Sequence, residues 1–166
     1  AIGVGGLLGC AFDSEKVVDC QVENATITVG TNAIMVGGLL GYAGVVNEGA
    51  LASDAEGFTL IKNCQVTGMN IVADEGSTRI GGVVGSGFCG SNYSSYYPAA
   101  SAIHIVGCSA SGTITAESSN AIVGSILGYA FRNCAVVSCN GSAVNGATNQ
   151  VGAADALQIV LLENVK

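Results

Sequence analysis

The hydrophobic and polar positions of this chain form short apolar runs, which are bounded by Gly, Asn and Ser. Several runs alternate apolar and polar residues with a period of two, as at residues 25–29, 69–73 and 112–116. These runs are rich in Val, Ile and Thr, which favour strands, and the alternation turns one side of a strand toward a core. The pattern therefore predicts an all-β protein made of short strands.

A glycine signature recurs four times along the chain. It reads Val-Gly-Gly-Leu-Leu-Gly at 4–9 and 36–41, Ile-Gly-Gly-Val-Val-Gly at 80–85 and Val-Gly-Ser-Ile-Leu-Gly at 123–128. Glycine permits positive φ and close backbone approach, so we expect the signature where the chain bends between faces. Ser125 departs from the pattern, which we expect to weaken only the fourth unit. The predicted structural glycines are Gly5, Gly6, Gly9, Gly37, Gly38, Gly41, Gly81, Gly82, Gly85, Gly124 and Gly128.

A cysteine follows each glycine signature, and the spacing between the two defines the repeat. From the last Gly to the Cys it is 11 residues in the outer units (9 to 20, 128 to 139) and 23 in the middle units (41 to 64, 85 to 108). The middle units therefore carry an insertion at one point, as loops on one face of a solenoid do. We expect a structural ladder of inward-facing thiols at Cys20, Cys64, Cys108 and Cys139.

Units of this size cannot bury their own apolar side, so they must stack. The predicted fold is a parallel β-helix, or β-solenoid, of about four coils with two long insertions on one side. By analogy with crossover rules, we expect it to be right-handed. The first coil begins within the signature and has no polar cap, which favours a segment of a longer protein. We expect a single domain over residues 1–166, with coils at approximately 1–32, 33–77, 78–120 and 121–150 and a C-terminal cap at 151–166.

Gly-Gly-Leu-Leu-Gly followed by a short strand and Asn-Cys, as at residues 37–41 and 63–64, resembles the GLUG-type repeat. The resemblance covers four units between Ala1 and about Gln150. This repeat occurs in bacterial surface and adhesin-like proteins and in the non-catalytic part of immunoglobulin A peptidases. The resemblance implies a β-solenoid module of a secreted or surface-anchored bacterial protein, without catalytic residues.

Charge is sparse and negative along the chain. Charged residues make up 10% of it and the net charge is −7, whereas about 25% is typical of globular domains. Nucleic acid and anionic membrane surfaces both need a basic patch, so we exclude them as partners. No apolar run reaches the roughly 20 residues of a transmembrane helix, so no membrane insertion is predicted. The basic residues are scattered: Lys16, Lys62, Arg79, Arg132 and Lys166.

The chain contains seven cysteines, so at least one has no disulfide partner within the chain. We expect the four ladder cysteines to be free thiols. Cys10, Cys89 and Cys134 lie near the insertion side, where a Cys10–Cys134 or a Cys89–Cys134 disulfide is an open alternative.

The insertion of the third unit is the candidate binding loop. It contains Asn92, Tyr93, Tyr96 and Tyr97 among several Ser. Tyr gives a large amphipathic surface at low entropic cost, while Ser and Asn supply adaptable hydrogen bonds, and Tyr rings also stack on sugars. The alternative is that these rings pack against the insertion of the second unit.

Metal and catalytic candidates are few. Glu48, Asp54 and Glu56 in the second insertion are weak calcium candidates, because calcium takes six to eight oxygen ligands but no EF-hand spacing is present. His104 is the only histidine, and we expect a structural or surface role. A Ser-His-Asp or Cys-His site that uses it is an alternative. No cofactor is predicted.

These observations predict a non-enzymatic structural or adhesive module that presents its loops to a host or cell-surface protein or glycan. Further coils of its parent chain, or end-to-end self-association, would cover its ends. One alternative is a polysaccharide-active β-helix enzyme, a lyase or hydrolase, which needs clustered acids or calcium. Another is ice binding, suggested by Thr at 26, 28, 113 and 115, although residues 70–72 interrupt that array.

Overall fold

The computed structural model describes residues 2–12, 15–45, 59–89, 103–131, 134–154 and 159–160. Over these ranges the protein is all-β, as the sequence pattern predicts, and its strands number nineteen. No helix occurs within them, and so no helix there is long and apolar enough to cross a membrane.

The strands follow one another in repeating groups, one for each glycine signature. The first unit contains β1 (Gly3–Gly5), β2 (Leu8–Phe12), β3 (Lys16–Val18), β4 (Gln21–Glu23) and β5 (Thr26–Val29). The second contains β6 (Met35–Gly37), β7 (Leu40–Val45), β8 (Thr59–Lys62) and β9 (Gln65–Ala73). The third contains β10 (Ile80–Gly81), β11 (Val84–Cys89), β12 (Ile103–Val106) and β13 (Ser109–Ala116). The fourth contains β14 (Val123–Gly124), β15 (Leu127–Phe131), β16 (Cys134–Val137) and β17 (Asn140–Asn145), after which come β18 (Val151–Ala154) and β19 (Ile159–Val160).

Each strand pairs in parallel with the equivalent strand of the neighbouring unit. The four sheets run β1-β6-β10-β14, β2-β7-β11-β15-β18, β3-β8-β12-β16-β19 and β4-β9-β13-β17, and β5 also pairs with β9. Apart from β4 and β5, which both pair with β9, strands that are consecutive in the chain therefore lie in different sheets. This arrangement fits a β-solenoid. In the predicted C-terminal cap, β18 and β19 continue two of these sheets.

The alternating segments bury one side in a common core. Ile27, Ile71 and Ile114 are paired in register and are 8%, 0% and 4% exposed. Their chain neighbours Thr26 and Asn70 point outward and are exposed. The core is thus a set of aligned apolar rows that run from unit to unit, as the period of two requires.

The signature glycines are explained by close approach and not by positive φ, which was the other reason expected for them. None of those described has φ in the left-handed region. A Cβ added to Gly85 would lie 2.6 Å from the carbonyl oxygen of Gly41, and one added to Gly128 would lie 2.5 Å from that of Gly85. The last glycines of successive signatures therefore form a row in which backbone packs directly on backbone.

Left-handed backbone occurs instead at the residue before each ladder cysteine. Asp19, Asn63, Gly107 and Ser138 have φ values of 55°, 54°, 62° and 51°. Asp and Asn tolerate this conformation better than most residues, because their short polar side chains can bond locally. Glycine at 107 also makes room for the Asn63 side chain of the preceding unit, because an added Cβ would lie 2.8 Å from Asn63 Oδ1. This corner, which the sequence analysis did not identify, turns the chain into the strand that follows each cysteine.

Ser125 faces a glycine, Gly141, at the place where the second unit has a valine opposite its signature glycine. In the second unit a Cβ on Gly38 would meet Val66 Cγ1 at 2.8 Å, so glycine on one side faces a larger residue on the other. In the fourth unit the sizes are exchanged: Ser125 is buried, and a Cβ on Gly141 would lie 2.5 Å from Ser125 Cβ. The smaller residue on the facing strand leaves room for the Ser125 side chain, and the expectation of a weakened fourth unit stays a prediction.

This exchange gives the first testable prediction. Gly141→Val should lower the free energy of unfolding by about 1–3 kcal/mol, because the new side chain overlaps Ser125. Adding Ser125→Gly should recover most of that loss, because it recreates the glycine–valine pair of the second unit. Urea denaturation of both single variants and the double variant measures the coupling. Additive effects would show that the two residues do not compensate for each other.

Candidate functional site: the roots of the two insertions

Both insertions leave the sheets at neighbouring points and return at neighbouring points. The strand that leads into the second-unit insertion ends at Val45, which pairs with Cys89 at the end of the equivalent strand in the third unit. The strands that follow the insertions begin at Thr59 and Ile103, which also pair with each other. The four strand ends, called the insertion roots below, therefore lie side by side on two adjacent strand pairs.

A buried hydrogen bond closes the root of the second-unit insertion. Thr59 Oγ1 donates to the carbonyl oxygen of Gly44 at 3.0 Å, and Thr59 is fully buried. Residues on the two sides of the insertion are thereby joined at its base. In the first unit, where the connection is short, the backbone N–H of Phe12 donates to Glu15 Oε2 at 3.0 Å.

An aromatic ladder crosses the four units next to the roots. The ring centroids of Phe12 and Tyr42 are 5.0 Å apart, those of Tyr42 and Phe88 are 6.3 Å apart, and those of Phe88 and Phe131 are 4.9 Å apart. Phe12, Phe88 and Phe131 share one register, and Gly44 takes that position in the second unit. A Cβ on Gly44 would lie 2.8 Å from the Phe12 ring, so glycine makes room for the ladder.

The ladder stabilises the roots and is poorly suited to binding sugar itself. Phe88 and Phe131 are stacked with their planes 12° apart, so each covers a face of the other. Aromatic pairs of this kind add about 0.5–1.5 kcal/mol beyond the area they bury. Carbohydrate stacking needs an open ring face, which this pair does not provide between its members. The ladder therefore fixes the strands from which the insertions leave.

Arg79 places a positive charge beside the ladder. Its guanidinium carbon lies 4.9 Å from the centroid of the Tyr129 ring. Ser86 pairs with both Tyr42 and Tyr129, and this small buried residue separates the two tyrosines. Burial raises the pKa of Tyr42 to about 12, and the charge of Arg79 partly opposes that rise. Arg79 is thus a cation close to two tyrosines, and it makes a cation–π contact with the ring of Tyr129.

The candidate binding and calcium residues of the sequence analysis lie outside the described residues. This applies to Asn92, Tyr93, Tyr96 and Tyr97 in one insertion and to Glu48, Asp54 and Glu56 in the other. His104 lies in the third-unit strand Ile103–Val106 and is half-buried. Among the described residues, no group of three or more His, Cys, Asp or Glu side chains could hold a metal ion.

The four ladder cysteines follow one another from unit to unit. Cys64 Sγ lies 3.4 Å from the carbonyl oxygen of Val17 in the preceding unit, and Cys108 Sγ lies 3.6 Å from that of Ile61. Cys64 and Cys108 are buried, whereas Cys20 and Cys139 are half-buried. The inward thiols thus hydrogen-bond to the backbone of the neighbouring unit. Cys10, Cys20, Cys64, Cys108 and Cys139 are all free thiols.

One of the two disulfide alternatives is thereby wrong. Cys10 is free and exposed, so it does not pair with Cys134. The other alternative involves Cys89, whose side chain lies outside the described residues.

Comparison of the chain with protein-family models, with curated proteins and with solved structures finds no match.

Proposed function

We propose that this protein is a non-enzymatic structural or adhesive module of a bacterial surface or secreted protein, which presents its two insertions together outside the cell. The observation that carries the proposal is the register of the insertion roots, Val45 with Cys89 and Thr59 with Ile103. Because the two loops are rooted at paired positions, we expect them to present one composite surface. Loops positioned in this way by a scaffold are common binding elements.

The finer features of the fold belong to the same proposal. The module winds as a right-handed β-solenoid of about four coils and is related to the GLUG-type repeat of bacterial surface proteins. Support comes from the regular register of the glycine signatures, in which Gly5 pairs with Gly37, and Gly37 pairs with Gly81. A ligand on the insertions is a host or cell-surface protein or glycan.

The uncovered side of the first unit supports a second part of the proposal, that further coils of a parent chain or another copy cover it. Leu7 and Leu8 are 46% and 38% exposed, whereas the equivalent Leu39 and Leu40 are fully buried by the neighbouring unit. Within the described ranges, the strands of the first unit also pair on one side only. Such an edge is a template for a further parallel strand.

The tyrosines of the third-unit insertion provide the direct test. Replacing Tyr93, Tyr96 and Tyr97 together by Ala should weaken binding on a glycan array or to a captured surface protein by at least about tenfold, because the ring contacts are lost. The matched control replaces Ser91, Ser94 and Ser95 by Ala in the same insertion.

Two results would contradict this proposal. Equal binding by the tyrosine and serine variants would show that the rings are not the contact. Cleavage of a polysaccharide by the unmodified protein would favour the enzyme alternative, which stays a prediction. The ice-binding alternative also stays a prediction, and Asn70 lies in register between Thr26 and Thr113 in the array on which it depends.

A further inference from the structure

The ladder cysteines form a continuous row that the proposed function does not use. Each cysteine directly precedes a residue paired with its equivalent in the next unit: Gln21 with Gln65, Gln65 with Ser109, and Ser109 with Asn140. The backbone N–H of Gln65 also donates to the carbonyl oxygen of Cys20 at 2.9 Å. The cysteines are therefore separated by about the 4.8 Å that divides neighbouring parallel strands.

Backbone contacts place the sulfur atoms along one line between the units. Cys64 Sγ is 3.3 Å from the carbonyl oxygen of Lys62 in its own unit and 3.4 Å from that of Val17 in the unit before. Cys139 Sγ accepts a hydrogen bond from the backbone N–H of Cys108 at 3.4 Å. Cys108 Sγ and Cys139 Sγ likewise contact the carbonyl oxygens of Ile61 and Ile105 in the preceding units. The sulfurs therefore take equivalent places in successive units.

The spacing of the row is unfavourable for disulfides. A disulfide needs Cβ atoms about 3.5–4.5 Å apart, but side chains in register on parallel strands start about 4.8 Å apart. Joining two of these cysteines would pull two units together or strain the bond. The same spacing suits two sulfurs that bind one metal ion between them. With bonds of about 2.3 Å, as in zinc thiolates, a linear pair spans about 4.6 Å.

The chemistry of the row selects a soft ion of low coordination number. Thiolates prefer soft ions such as Cu(I), whereas structural zinc requires four ligands in a tetrahedron. No third His, Cys, Asp or Glu in the described residues joins a pair to make a larger group. We propose that neighbouring thiols of this row bind Cu(I), one ion between Cys20 and Cys64 and one between Cys108 and Cys139. Each ion forms two copper–sulfur bonds and displaces two thiol protons, and no electron is transferred.

The exposure of the thiols is compatible with loading from the two ends of the row. Cys20 and Cys139 are half-buried, so an ion reaches each pair through its outer member.

Titration of the full chain with the Cu(I)–acetonitrile complex without oxygen, followed by native mass spectrometry and chelator competition, tests the proposal. The unmodified protein should retain Cu(I) on both pairs. Cys64→Ser together with Cys108→Ser should abolish this binding, because neither pair keeps both sulfurs. Cys10→Ser is the control, since Cys10 is an exposed free thiol outside the row and its loss should leave the binding unchanged.

A second double variant keeps the test decisive if replacing the two buried cysteines prevents folding. Cys20→Ser with Cys139→Ser changes only the half-buried members and leaves Cys64 beside Cys108, so the retained copper should fall from two pairs to one. Retention of all the copper by either double variant would overturn the proposal. So would its loss in Cys10→Ser, or rapid disulfide formation between neighbouring row cysteines during mild oxidation with hydrogen peroxide.

Discussion

Gly85→Ala is expected to lower the free energy of unfolding by about 3 kcal/mol or more, at the upper end of the range for overpacked sites. The added Cβ would lie 2.5 Å from the backbone nitrogen of Val36 and 2.6 Å from the carbonyl oxygen of Gly41. Both contacts are with backbone atoms of paired strands, so no flexible side chain can move aside. Relief requires that two units separate, which weakens the hydrogen bonds between them.

Gly30→Ala is the matched control for this substitution. A Cβ on Gly30 would meet no atom within 4 Å, and its φ is not left-handed. The expected change is zero or a stabilisation of about 0.4–1 kcal/mol, because alanine restricts the unfolded chain more than glycine does. Guanidinium denaturation of both variants measures the difference. Similar stabilities would show that the signature glycines are not required for close approach.

Ile71→Ala is expected to lower the free energy of unfolding by about 2–5 kcal/mol, the usual cost of emptying a fully buried aliphatic site. Ile71 lies between Ile27 and Ile114 in one row of the core, and it is 0% exposed. Strands on both sides are fixed by the ladder of backbone hydrogen bonds, so the units cannot close over the cavity.

A graded series makes the Ile71 prediction specific to packing. Ile71→Val should cost about 0.5–1.5 kcal/mol, whereas Thr28→Ala, which changes an exposed residue beside the same row, should cost about 0.5 kcal/mol or less. The three variants are compared by urea denaturation. A loss for Thr28→Ala as large as that for Ile71→Ala would show that strand propensity, and not core packing, dominates here.

The parallel all-β arrangement was predictable because two signals agree. The period of two in segments such as residues 69–73 predicts half-buried strands, and the constant spacing of the signatures predicts their alignment. The observed register joins Val36 to Val4 and to Ile80, residues that begin successive signatures. Equivalent positions of a repeat occupy equivalent places, so the repeat in the sequence predicted which strands pair.

The contacts within the core were less predictable, because they depend on which residues face each other between units. Ser125 has an unusual identity for its position, but its match with Gly141 requires knowledge that the two meet. The left-handed corners at Asp19, Asn63 and Ser138 had a usable signal. All precede a ladder cysteine, and the small or polar residues at that position are those that accept such backbone best.

The location of the candidate site was predictable, but the aromatic contacts that stabilise the insertion roots were not. The spacing located both insertions at the same point of the repeat. The aromatic ladder was not predicted, although Phe12, Phe88 and Phe131 each follow the last signature glycine of their unit by three residues. In the second unit Gly44 holds that position and Tyr42 supplies the ring. A motif search for identical residues fails there, because the ring comes from a different position.

In the part of the chain that the structure describes, each unit pairs only with the units next to it, and this has a mechanical consequence. Among the described strands, none of the first unit pairs with a strand of the third or fourth unit. When the chain is pulled from its two ends, load is therefore not shared across the stack. Units at the ends would therefore detach one after another, each releasing its own length of chain. The middle units, with their insertions, would release the longest lengths, so under tension the protein would lengthen in unequal steps while the remaining units stay folded.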